Sequence, residues 1–282
     1  MRVAITGASG LIGTRLGGAL RARGDEVVAV SLRSGAPSPE ALSGCDAVVN
    51  LAGEPIAQRW TGAVRERIRA SRVEGTRALV DALAAAEPRP RVLVNASGVG
   101  YYGARGEERV DEDAPPGDDF LAQVCLAWER EAQAAADHDV RVVIVRTGVV
   151  LAKSGGALAK MLPPFRLGVG GPVAGGRQYL PWIHIDDVAG IYTAAIDSDA
   201  WSGPVNACAP EPVTNAAFSK ALGRALRRPA IFPVPAPAIR ALYGDMAEIV
   251  TEGQRAVPAR PLALGYPFTH PDLDEALADA LR

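Results

Sequence analysis

The chain has 282 residues, 48% of them hydrophobic and 22% charged, a balance that supports a large buried core and excludes intrinsic disorder. Its formal net charge of −2, with no basic run interleaved with aromatics, gives no electrostatic case for nucleic acid or an acidic membrane surface. Cys45, Cys125 and Cys208 are odd in number and widely spaced, which argues against a disulfide framework or a metal site and leaves them as buried reduced thiols. No apolar run reaches membrane-spanning length and no basic leader precedes the first strand, so no membrane partner and a cytoplasmic location are expected.

The run Arg2-Val-Ala-Ile-Thr-Gly-Ala-Ser-Gly-Leu-Ile-Gly13 predicts a buried strand, a glycine turn and the start of a helix. Gly7 turns without a Cβ penalty, Gly10 lets backbone N–H groups approach a pyrophosphate, and Gly13 lets the helix pack close to the strand. Thr6, Ser9, Leu11 and Ile12 share that loop and join the expected cofactor contacts. The helix is expected over residues 11–23, with Ile12, Leu16 and Leu20 on its apolar face and Gly24 as its stop. A second strand at 27–31 completes a strand, turn, helix, strand unit of dinucleotide-binding type.

A third strand over 46–53 brings Leu51, Ala52 and Gly53 to its carboxyl end. A helix over 63–86, a strand over 91–97, a helix over 120–136 and a strand over 140–146 follow. Near-continuous apolar strands alternating with helices predict an α/β, doubly wound parallel sheet covered on both faces. Past Gly148 the chain turns rich in glycine and proline, which suggests a smaller lobe. The expected division is a cofactor domain over 1–150, with returning segments near 177–210, and a substrate lobe and C-terminal region over 151–282. Thr214 is a candidate cap for a helix carrying Phe218, Leu222 and Leu226, and Pro271 a candidate start for one carrying Leu273, Leu277 and Leu281.

Ligands of open parallel sheets sit past the carboxyl ends of the strands, which singles out residues 7–13, 31–34, 51–55, 97–103 and 147–156. NAD sites place an acidic residue at the end of the second strand, and none occurs from Val27 to Ser34. Ser31 and Arg33 stand there instead and can hold a 2′-phosphate, so the expected cofactor is NADP(H).

Together, Thr6-Gly-x-x-Gly-x-x-Gly13, Asn50-Leu-Ala-Gly53, Tyr101-Tyr-Gly103, Trp182-Ile-His-Ile-Asp-Asp-Val-Ala189 and Asn206 resemble the extended short-chain dehydrogenase/reductase superfamily, in its NAD-dependent epimerase/dehydratase group. Gly100-Tyr-Tyr-Gly103, Arg146-Thr-Gly-Val-Val-Leu151, Gly176-Arg-Gln-Tyr179 and Gly253-Gln-Arg-Ala-Val-Pro258 look like its atypical epimerase-family branch with a small C-terminal domain of its own. The resemblance implies a Rossmann cofactor domain, a smaller substrate lobe and hydride transfer at the nicotinamide. It also allows a homodimer through the helices near 63–86 and 120–136.

The superfamily's Tyr-x-x-x-Lys pair is missing. Aligning through Trp128-Glu129 puts Leu121 and Cys125 in its place, and the only lysines are Lys153, Lys160 and Lys220. Ser97, where the superfamily keeps a hydroxyl, and Tyr101 and Tyr102 beyond it are the candidate substitutes, each with packing as its alternative. Lys153 and Arg177 are candidate substrate contacts, while His184 and Asp187 fit a capping or core role better than catalysis. The expected function is an NADP(H)-dependent oxidoreductase or epimerase acting on a polar small molecule such as a nucleotide-linked sugar. The alternative is an NADPH-binding sensor or interaction protein without turnover.

Overall fold

The computed structural model describes residues 1–33 and 35–282, so Ser34 of the 31–34 window lies outside the described residues. Six strands, β1 (Arg2–Thr6), β2 (Glu26–Val30), β3 (Ala47–Asn50), β4 (Val92–Gly98), β5 (Arg141–Thr147) and β6 (Gly203–Ala207), form one sheet. Their order is β6-β5-β4-β3-β1-β2 and every neighbouring pair is parallel. Strand order reverses at β1, which pairs with β2 on one side and β3 on the other. A crevice at the carboxyl ends follows from that reversal.

Side-chain alternation divides each strand between two cores. Val3, Ile5, Val49, Val94, Val143 and Val145 point to the face covered by α1 (Leu11–Ala22) and α5 (Ile185–Asp197), where they meet Leu16, Leu20, Ile191 and Tyr192. Ala4, Val48, Leu93, Val142 and Ile144 point to the other face, under α2 (Gly62–Ala85) and α3 (Phe120–Gln133), where Leu79, Val80, Leu83 and Ala132 close it. Fully burying each such aliphatic side chain contributes about 1.5–3 kcal/mol, which is why these strands are apolar on both faces.

Local capping sets the helix ends. Thr61 caps α2 by accepting from Val64 N, and Asp119 caps α3 by accepting from Ala122 N. The expected helix over 120–136 stops at Gln133 and tightens into a 3-10 turn, Ala134–His138, before left-handed Asp139 (φ +60°). Helix α6 (Asn215–Leu226) is capped by Thr214 as expected. At the C-terminal helix, Leu273–Ala280, the cap is Asp272, whose carboxylate accepts from Glu275 N, so Pro271 lies just outside.

The second lobe has its own core, where Leu158, Leu162 and Phe165 of α4 (Gly156–Arg166) pack with Trp182, Phe218, Leu222 and Leu277. Strand β6 returns from this region to the edge of the main sheet. His184 caps α5 by accepting from Asp186 N through Nδ1, which puts the neutral ring's proton on Nε2, 3.5 Å from Asp279. Buried Asp187 accepts from Thr269 N at 2.7 Å and His270 N at 2.9 Å, tying the C-terminal segment to α5. Among the described residues no helix is long and apolar enough to cross a membrane.

Candidate functional site

The glycine loop joins β1 to α1 with no room for side chains at two positions. Gly7 has φ +66°, and a Cβ there would lie 2.8 Å from the Leu51 carbonyl carbon and oxygen. At Gly13 a Cβ would lie 2.4 Å from the Gly7 oxygen. Gly10 N donates to Gly7 O at 2.9 Å, closing the turn. Helix α1 then starts with no side-chain cap and no acidic residue in its first turn. Its first N–H groups and the positive end of its dipole are left for an anion from outside.

Gly7, Gly10, Leu11, Ile12, Gly13 and Leu51 line a cleft of about 530 Å³ between the sheet and the second lobe. Ser9 is exposed on the loop, and half-buried Ala52 and exposed Gly53 follow Leu51 in the chain; none of the three is in the lining. Thr6 is fully buried, so it shapes the site from behind. Its hydroxyl donates to Asn50 Oδ1 at 2.6 Å and accepts from Leu51 N and Ala52 N. Asn50 passes the chain on to Thr76 and Asn95, and the Trp128 indole donates to Thr76 at 2.8 Å. This buried network fixes the carboxyl ends of β1, β3 and β4 against α2 and α3.

At the end of β2, Leu32 packs on α2 beside Gly75, which leaves its neighbours Ser31 and Arg33 exposed. Ser31 Oγ accepts from Arg33 N at 3.2 Å, a tight local turn one step past the Thr6–Val30 register. Arg33 makes no ion pair with any described residue.

The three expected proton donors stand elsewhere. Alternation along β4 turns Ala96 and Gly98 toward the cleft and Ser97 away from it, and Ser97 Oγ donates to Glu129 Oε1 at 2.6 Å. Arg146 holds the same carboxylate and donates to Tyr102 Oη at 3.0 Å, while Tyr102 donates to Asn206 at 2.7 Å. Burial pushes the Tyr102 phenol well above its usual range, against the opposing pull of Arg146. The Tyr101 ring lies under the Arg146 guanidinium at 3.5 Å. Ser97 and Tyr102 therefore belong to one closed hydrogen-bonded network behind the cleft wall, the Tyr101 ring packs against it, and none of the three lines the cleft. Lys153 and Arg177 are exposed and likewise outside the lining; Gln178 reaches the cleft instead, held by the carbonyls of Val173 and Val250.

Position 121 does reach the cleft, and Leu121 presents only methyl groups there. Cys125 is buried one turn on, its thiol pushed up to about 11 by desolvation and by Glu129. Neither exchanges a proton near neutrality. Trp128, which could face the cleft or merely close its helix, lines it, and sequence reasoning missed the aromatic and cationic residues beside it, namely Trp60, Phe120 and Arg72. A signal for Arg72 existed: Val64, Ile68, Arg72, Thr76 and Val80 recur at four-residue spacing, so the arginine interrupts an inward stripe of α2.

The sequence pattern of the NAD dependent epimerase/dehydratase family matches residues 3–208. The chain belongs to that family. A pattern described as a domain of unknown function (DUF1731) matches residues 234–280. Among relatives of this epimerase/dehydratase chain, "Epimerase family protein SDR39U1" of Bos taurus is 42% identical, covering 100% of both chains. "Epimerase family protein Mb2239" of Mycobacterium bovis is 43% identical over 99% of this chain and 97% of its own. The crystal structure of human epimerase family protein SDR39U1 (isoform2) with NADPH superposes with a TM-score of 0.93 at 41% identity, covering 100% of each chain. That superposition runs the full length of both chains.

Proposed function

We propose that this chain binds NADP(H) across the carboxyl ends of β1–β4, with a polar small molecule entering the same cleft. The observation that carries this reading is the acid-free, uncapped start of α1 behind a loop that excludes Cβ atoms at Gly7 and Gly13. The end of β2 supports the phosphorylated cofactor, because Ser31 and Arg33 are exposed where an NAD site keeps a carboxylate. The NADPH in the human relative's structure supports it independently.

When bound, such a cofactor supplies hydride exchange at the nicotinamide. The chain's own contribution is to anchor phosphates on the α1 terminus, to hold segment 51–53 through Thr6, and to exclude water with Leu121, Phe120 and Trp128. On this reading the protein is an oxidoreductase or epimerase for a substrate such as a nucleotide-linked sugar. Since Ser97 and Tyr102 are spent on each other's network, the proton comes from substrate or water.

The same closed network favours a second reading, cofactor binding without turnover. Calorimetric titration with NADPH and NADH tests the shared premise: tight NADPH and weaker NADH binding is expected, and no heat at millimolar NADPH overturns it. Incubating the protein with 4-deuterated NADPH and a metabolite extract separates the two readings. Deuterium in a product supports a reductase, an epimerised product from a parallel incubation with oxidised NADP supports an epimerase, and the absence of both supports the binding protein.

A further inference from the structure

Arg72 is a guanidinium set into the cleft wall without a counter-ion. It stacks on the Trp128 ring, with its central carbon 5.1 Å from the ring centroid, and its Nη1 donates to the carbonyls of Glu54 at 3.0 Å and Ile68 at 3.2 Å. Its plane fills the space beside Gly53, where a Cβ would lie 3.0 Å from the guanidinium carbon. Among the described residues no carboxylate lies within ion-pair distance; nearby Glu54 is engaged by Arg67 and Gln58. Nε and Nη2 donate to no described residue, so two edges of the fork remain for whatever enters the cleft.

A charge taken out of water and left unpaired is costly, and burial is the leading influence on Arg72, lowering its pKa against the weaker pull of Cys125 and Glu54. Purely structural roles do not need that charge, because the two carbonyl contacts and the stacking on Trp128 use one nitrogen and one face. A planar fork with free donors in an otherwise apolar wall matches an oxyanion of phosphate or carboxylate type. Cys125, the thiol nearest Arg72, is itself held neutral by burial and supplies no counter-charge.

We infer that Arg72 is the receptor of an oxyanion-binding subsite in the cleft, taking a phosphate or carboxylate group through Nε and Nη2. This rests on the cleft being the ligand site proposed above. Two sources share the chemistry, the diphosphate of the cofactor and an acidic group on the second molecule. Gly7 abuts Leu51 and Ala52 while Arg72 abuts Gly53, so the subsite lies along the same rim as the phosphate loop.

The test is calorimetric titration of the full-length protein, as wild type, Arg72→Gln and Arg72→Lys, with NADPH, and then of the NADPH-loaded protein with benzoate and with phenyl phosphate. If the cofactor supplies the oxyanion, Arg72→Gln weakens NADPH at least tenfold and Arg72→Lys recovers part of the loss. If the second molecule supplies it, NADPH affinity holds while wild-type binding of benzoate or phenyl phosphate disappears in Arg72→Gln. Unchanged affinity of Arg72→Gln for all three ligands overturns the inference, as does wild-type protein that binds neither probe while NADPH affinity ignores the substitution. Melting temperature provides the fold control: a ligand-holding arginine leaves the Arg72→Gln apoprotein as stable as wild type or more so, whereas a structural one lowers its melting temperature. Failure of wild type to bind NADPH would instead strike the functional reading, and the two probes on apoprotein would still decide the fate of Arg72.

Discussion

Arg146 grips Glu129 through two parallel hydrogen bonds, Nε to Oε1 at 2.9 Å and Nη2 to Oε2 at 2.8 Å, with both side chains nearly out of solvent. The pair joins β5 to α3 and organises Ser97, Tyr101 and Tyr102 around it. Removing one member leaves the other charge buried. Glu129→Gln keeps the shape and deletes the charge, so it is expected to lower unfolding free energy by about 3–5 kcal/mol in urea titrations. A loss below about 1 kcal/mol would mean that the pair is no more than a surface-like contact.

Tyr102→Phe removes the bonds to Asn206 and from Arg146 while preserving the ring packing. Stability should fall by about 1–3 kcal/mol, since Asn206 and Arg146 each lose a buried partner. NADPH affinity should stay within twofold, and a tenfold weakening would return the phenol to the ligand site.

Gly13→Ala places a methyl group 2.4 Å from the Gly7 carbonyl oxygen and pushes the loop off α1. NADPH binding is expected to weaken by at least a hundredfold. Gly18, five residues further along the same helix, meets nothing within 4 Å, so Gly18→Ala is the matched control. That variant should bind normally and gain roughly 0.5–1 kcal/mol of stability.

Arg33→Ala should leave NADH binding unchanged and weaken NADPH by about tenfold to a hundredfold, the range of a charge-assisted bond to a phosphate. Competition titrations with both cofactors read the ratio directly. Equal losses for the two would detach Arg33 from any 2′-phosphate.

Burial first and His270 second lower the pKa of His184 below its ordinary 6.5, although Asp186, Asp187 and Asp279 also face the ring and oppose them. The unfolded chain takes up that proton more readily than the folded one, so the folded state binds fewer protons in the window below pH 6.5. Stability contributed here is complete above 6.5 and falls as the pH drops toward the depressed folded value. Melting temperatures between pH 8 and pH 5 should show that fall in wild type. His184→Asn, which keeps a capping side chain, should flatten it; an identical slope in both would assign the effect to other groups.

Much of the sheet was readable one residue at a time. Strands at 27–31, 91–97 and 140–146 were displaced by a single residue from Glu26–Val30, Val92–Gly98 and Arg141–Thr147, because doubly buried parallel strands write themselves as apolar runs. Caps were readable where a hydroxyl stood at the right offset, as at Thr214, and misplaced where two candidates adjoined, as with Pro271 and Asp272. Side-chain direction at a strand end was not readable. Whether Ser97 or its neighbours Ala96 and Gly98 faced the cleft depended on the register of β4 against β5 and on the position of Glu129.

The sequence by itself determined the phosphate loop, because the left-handed turn at Gly7, the steric exclusion at Gly13 by the Gly7 carbonyl and an acid-free helix start are local properties of a dozen consecutive residues. It also determined what is missing, since no rearrangement supplies the absent Tyr-x-x-x-Lys pair. Only the tertiary structure decided what occupies that corner. Arg72 comes from α2, Trp128 from α3 and Gly53 from the end of β3, and their meeting depends on packing across long sequence separations. The same packing withdrew Ser97, Tyr101 and Tyr102 from the cleft, because a buried Arg146–Glu129 pair gathers every donor and acceptor within reach to satisfy its own desolvated charges.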